Sequence, residues 1–141
     1  MILYLDTSAL VKLYVRERGS TWTRRAVAAA EAVATSMVAY AEARAAFARL
    51  QREKGSGSKR HRERIVQLDR DWNRYVLVEL TAAVALRAGA LAEEHGLRGF
   101  DAIHLASALW LRAVHPAELS FSAFDRRLAK AAAAAGLMPV L

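Results

Sequence analysis

Asp6, Glu42, Asp101 and Asp125 are the residues whose type and placement suit chemistry. Each stands where a short segment meets the start of a helix or, for Glu42, on a small-residue helix face. Ile2-Leu3-Tyr4-Leu5 runs into Asp6, Arg98-Gly99-Phe100 into Asp101, and Leu119 to Phe124 into Asp125. In an α/β fold such places form the carboxyl edge of the sheet, where ligands bind. Carboxylates gathered there repel one another, so they take up protons or hold a cation between them. With oxygen donors alone, Mg2+ is the fitting ion and Mn2+ the next. That is metal-dependent chemistry on a polyanion.

Each acid also has a plainer reading. Asp6 suits a helix N-cap, Asp101 a first-turn acid favoured by the helix dipole, and Asp125 either. Glu42, among Ala39, Ala43 and Ala45, suits a surface salt bridge with Arg44 or Arg49. The case for a site rests on the four together. His61, His95, His104 and His115 lack the paired spacing of a zinc site. His104 follows Asp101 by three, so it either braces that acid or is a satisfied core or rim histidine. Ser8 has no Gly-x-Ser-x-Gly elbow around it and reads as a cap or as a contact to phosphate or to metal-bound water. No glycine-rich phosphate loop is present.

These acids need elements to hold them. Ile2–Leu5 reads as a buried strand, and Asp6-Thr7-Ser8 caps the helix after it. A second helix is predicted over 21–32, a strand over 33–35, and a long helix capped by Ser36 and running to about Glu53. Lys54-Gly55-Ser56-Gly57-Ser58-Lys59 reads as the tip of a helical hairpin whose second arm ends near Arg74. A strand over 75–80, helices over 81–95 and 100–113, a strand over 119–122, a helix over 125–135 and an edge strand over 138–141 complete the pattern. Strands alternating with helices predict a three-layer α/β/α domain over residues 1–141, with a central parallel sheet of four to five strands.

The chain of 141 residues carries no cysteine, so disulfides, thiol catalysis and cysteine zinc sites are excluded. No apolar run reaches the roughly 20 residues of a membrane span. The amino end lacks the basic region and cleavage site of a signal peptide, which points to the cytoplasm. The net charge of +7 is concentrated. Arg44, Arg49, Arg52, Lys54, Lys59, Arg60, Arg62 and Arg64 face only Glu53 and Glu63 in that stretch, the electrostatic footprint of phosphate binding. A solvated helical hairpin is the plainer reading. Trp22, Trp72 and Trp110 suit core or dimer contacts better than base stacking.

In this order and spacing the motifs resemble the PIN-domain family. Met1 to Leu10 is similar to its opening, and Ala41-Glu42-Ala43 matches its second acid. Phe100-Asp101-Ala102-Ile103-His104-Leu105-Ala106-Ser107-Ala108 resembles its third segment. Leu119 to Leu128 resembles the last, with Ser122 where threonine is commoner. The size resembles that of VapC-type toxins of type II toxin-antitoxin modules. The resemblance implies a Mg2+-dependent endoribonuclease, usually a homodimer, restrained by a VapB-like antitoxin. Asp6 and Asp101 are then expected as direct metal ligands, with Glu42 and Asp125 completing the cup. A PIN-like module that binds RNA without cutting it is the main alternative. A phosphatase of the haloacid dehalogenase type is disfavoured, because Ser8 stands where that chemistry needs a second aspartate.

Overall fold

The computed structural model describes residues 1–55 and 57–140. Along the chain run β1 (Ile2–Leu5), α1 (Thr7–Val11), α2 (Ser20–Ala29), β2 (Ala32–Ser36), α3 (Ala39–Lys54) and α4 (Ser58–Trp72). There follow β3 (Val76–Val78), α5 (Ala82–His95), α6 (Gly99–Val114), β4 (Leu119–Ser122), α7 (Arg126–Ala134) and β5 (Met138–Pro139). The strands form one sheet in the order β3-β2-β1-β4-β5, with every ladder parallel.

β1 is apolar on both faces because both are covered, as parallel sheets require. Ile2 and Tyr4 join a core built with α5, α6 and α7. Leu3 and Leu5 join a second core with α1, α3 and α4. The result is three layers, as the alternating pattern predicts. The chain passes from β1 outward to β2 and β3, then returns to β4 on the other side of β1. The strand order therefore reverses between β1 and β4, and a crevice opens beyond their carboxyl ends.

The differences from the sequence reading are local. The second helix stops at Ala29 rather than at residue 32, because Glu31 N–H already donates to Met1 O and Ala32 pairs with Ile2. Ser36 does not cap α3 itself. Its hydroxyl accepts from Val38 N–H at 3.2 Å and shapes the turn leading in. The third strand is shorter than 75–80: Tyr75 packs against Trp72, and Thr81 caps α5 by accepting from Val84 N–H. In the hairpin tip α3 ends at Lys54 on Gly55 (φ +60°) and α4 begins at Ser58; Ser56 lies outside the described residues. The edge strand covers Met138–Pro139, and Leu141 also lies outside them.

Phe47 holds the hairpin on the sheet. It is fully buried in the second core, and the Tyr14 ring meets it edge-on with centroids 6.1 Å apart. Phe47→Ala should cost about 3–5 kcal/mol, read as a lowered urea midpoint at unchanged slope. An unchanged midpoint would mean that the hairpin is not packed as described.

Candidate active site

Asp6 leaves β1 into the crevice and is 3% exposed. It caps α1, its Oδ1 accepting from Ala9 N–H at 2.9 Å. Ser8 Oγ donates to both carboxylate oxygens, at 2.8 and 3.0 Å. The backbone N–H of Asp6 donates to Ser122 O at 3.1 Å, so β4 fixes its position. Burial pushes the Asp6 carboxyl above its ordinary value. The bonds from Ala9 and Ser8 and the nearby His104 pull the other way, and the charge of Asp101 adds to the rise.

Glu42 sits in the first turn of α3. Thr7 Oγ1 donates to its Oε1 at 2.6 Å, and His104 Nε2 lies 3.1 Å from the same oxygen. Burial alone would raise this carboxyl. The bonds from His104 and Thr7 outweigh burial and hold it below the ordinary range. A carboxylate only accepts, so His104 Nε2 carries the proton and Nδ1 accepts from Tyr4 Oη at 2.9 Å. His104 is buried and braces Glu42, not Asp101. Of the two readings of His104, the satisfied buried histidine is the one the structure shows. Nor does Glu42 pair with Arg44 or Arg49, which turn to Tyr40 and Glu53.

Asp101 stands in the first turn of α6, on the link from α5, and not at the end of a strand. Asp125 caps α7, its Oδ1 accepting from Leu128 N–H at 2.9 Å. Arg98 joins the two: its Nε donates to Asp101 Oδ2 at 3.1 Å, and its Nη2 lies 3.7 Å from Asp125 Oδ2. A cleft of about 470 Å3 opens on Asp101, Asp125 and Arg98. Asp101 acts on Asp6 through its charge, and Arg98 acts on Glu42. Asp101, Asp125 and Arg98 line that cleft, whereas Asp6 and Glu42 are linked to it through the charges of Asp101 and Arg98.

Two neighbours shape the rim. Phe124 N–H lies 3.4 Å from Ser8 Oγ, tying the turn before α7 to α1. Gly19 (φ +92°) lets the Phe124 ring come within 2.8 Å of where a Cβ would stand. Trp22 meets Phe124 edge-on, so it serves here as a packing residue.

The donor set suits a hard divalent cation in kind. The acids are oxygen ligands, Asp6 is held in a charge environment that a cation would relieve, and Ser122 Oγ is buried without a hydrogen-bond partner. Yet among the described residues no three acidic or histidine side chains form a finished metal shell. Arg98 is the cation paired with Asp101 and Asp125 in this structure. The sequence reading missed Arg98. Its signal was its place three residues before Asp101, at the N-cap of the same helix.

A PIN-domain model matches residues 3–134. The chain belongs to the PIN-domain family. It is 40% identical over 139 residues to Ribonuclease VapC45 of Mycobacterium tuberculosis (strain CDC 1551 / Oshkosh) and to Ribonuclease VapC49 of strain ATCC 25618 / H37Rv. In both cases 96% of this chain and 92% of the relative are covered. The fold is similar to FitAcB from Neisseria gonorrhoeae (TM-score 0.65, 20% identity, 100% of this chain and 97% of that one). It also resembles VapBC2 from Rickettsia felis bound to a promoter DNA fragment (0.63, 17% identity, 92% of each chain). A toxin-antitoxin complex from Klebsiella pneumoniae is similar too (0.62, 20% identity, 87% and 86%). These place the chain among VapC-type PIN domains.

Because burial raises the Asp6 carboxyl, the folded state holds its proton to higher pH than the unfolded state does. Stability from this group is therefore full below the unfolded pKa and lost as pH rises through the folded one. In EDTA, Asp6→Asn should raise the urea midpoint at pH 7, with the gain vanishing as pH falls below about 4. A gain independent of pH would mean that the charge on Asp6 is not the cause.

Proposed function

We propose that this chain is a Mg2+-dependent endoribonuclease, the toxin of a VapBC-type toxin-antitoxin pair. The observation that supports it is that Asp6 and Asp125 follow the adjacent strands β1 and β4, while Arg98 pairs with Asp101 and lies near Asp125. The names of its 40%-identical relatives support ribonuclease activity, and the complexes of similar fold support a VapB-like antitoxin. A homodimer and a cytoplasmic site of action belong to the same reading. Mn2+ is the alternative ion.

Asp6 and Asp101 would hold the ion, and Glu42 and Asp125 would complete the cup. When bound, the ion supplies an activated water and positive charge against the phosphate oxygens. The residues prepare for this in distinct ways. Thr7 and His104 keep Glu42 ionised and in one rotamer. Ser8 fixes the orientation of Asp6, and Ser122 offers a free hydroxyl beside it. Arg98, four-fifths exposed, keeps Asp101 and Asp125 neutralised and can yield Asp101 to an ion. Attack in line would leave a 5′-phosphate and a 3′-hydroxyl.

The filling of all four acidic positions favours a cutting enzyme over an inactive RNA-binding module. RNA cleavage should require Mg2+ or Mn2+ and stop in EDTA. Asp6→Asn should lower the rate by about 100-fold or more while the protein stays folded. Cleavage by Asp6→Asn at the parental rate would sink the assignment. So would 2′,3′-cyclic phosphate ends formed without metal.

A further inference from the structure

A second charged cleft lies on the other side of the molecule's first helix. Its volume is about 330 Å3, and it is lined by Leu13, Tyr14, Arg16, Arg24, Arg60, Glu63, Arg64 and Gln67. Three segments supply its arginines: the turn after α1, α2, and α4. Tyr14 anchors the wall, donating to Asp71 of α4 at 3.0 Å.

Arg64 is the unusual member. It is 8% exposed, and its Nη1 is buried with no hydrogen-bond partner. Among the described residues, none of the four arginines forms an ion pair, not even with Glu63 beside them. None donates a side-chain hydrogen bond within the chain either; the arginines that do are Arg44, Arg98, Arg112 and Arg127. A buried guanidinium without a partner is costly, and it is stabilised when an oxyanion arrives. Guanidinium forks match the oxygens of phosphate, and arginines on three sides can satisfy several of them at once.

We propose that this cleft binds a backbone phosphate of the RNA, away from the bond that is cut. The inference rests on the ribonuclease reading. Asp6 opens α1 and Tyr14 closes the turns beyond it. The five residues of α1 span about 7.5 Å at about 1.5 Å per residue, and Leu13, Tyr14 and Arg16 of the cleft follow directly, so one strand can reach both sites. The acidic cup repels RNA, and this cleft supplies the attraction the cup lacks.

The test uses Asp6→Asn protein, which should bind RNA without cutting it, and a labelled short single-stranded RNA followed by fluorescence anisotropy over a salt titration. Adding Arg64→Gln or Arg60→Gln should weaken binding about tenfold and lower the salt slope by about 0.7. Arg87→Gln, which removes the same charge from exposed α5, should do neither. Arg64→Met should raise the Tm in phosphate-free buffer, whereas loss of a structural residue would lower it. Equal binding by the Arg64, Arg60 and Arg87 variants overturns the inference and leaves the nuclease reading intact. Variants that bind RNA normally but lose the co-expressed antitoxin assign the cleft to protein carboxylates, and this too overturns it. Failure of the parent to bind or cut any RNA removes both readings together.

Discussion

Burial of a carboxylate is the constraint on which this structure turns. The fold buries Asp6 at the end of β1, and the nearby Asp101 charge adds to the cost. A chain that only needed caps for its helices could have kept these acids apart. Here the cost is spread over fixed partners. Ala9 N–H and Ser8 bear on Asp6, Thr7 and His104 on Glu42, and Arg98 on Asp101 and Asp125. Arg98 stands between two of the acids, and the other two are met by hydrogen bonds from within the fold.

Topology makes that arrangement possible. β1 is central, flanked by β2 and β4, so the turn after it lies at the point where the strand order reverses. Asp6 occupies that turn. β4 runs beside it in register, Leu5 opposite Ser122, and so carries Asp125 to the same edge. β2 delivers α3 and Glu42 from the other side. α6 enters with its N-terminus toward the edge, which puts Asp101 where the helix dipole favours a carboxylate. The same helix buries His104 one turn on, linking the Tyr4 hydroxyl inside the sheet to Glu42 at the rim.

Much of this was legible in the sequence, because its signals are local. Strand followed by aspartate, alanine-rich helices and glycine stops predict the layers, the strand order in the chain and the four acids. The plain reading of Asp6 and Asp125 holds: both residues cap helices. What the sequence hid depends on contacts distant along the chain. Glu42 and His104 lie 62 residues apart, and no spacing rule pairs them. Arg98 read as part of a turn before Asp101. Its reach to Asp125 follows only from the meeting of α6 and α7. Arg64 was counted within a basic block, although its spacing of four from the buried Leu68 places both on the inward stripe of α4.

The separation of the two charged clefts then follows from one conflict. A nuclease of polyanions needs positive charge for affinity and negative charge for its metal, and the two neutralise each other if they mix. Arg98 displays the conflict in miniature: it pairs with Asp101 and lies 3.7 Å from Asp125. Setting Arg16, Arg24, Arg60 and Arg64 beyond the far end of α1 keeps their charge off the carboxylates. A single short helix can thus present an acidic site at its start and a basic one past its end. On the proposed reading a flexible polyanion would meet both, whereas the side chains of the two sites stay apart.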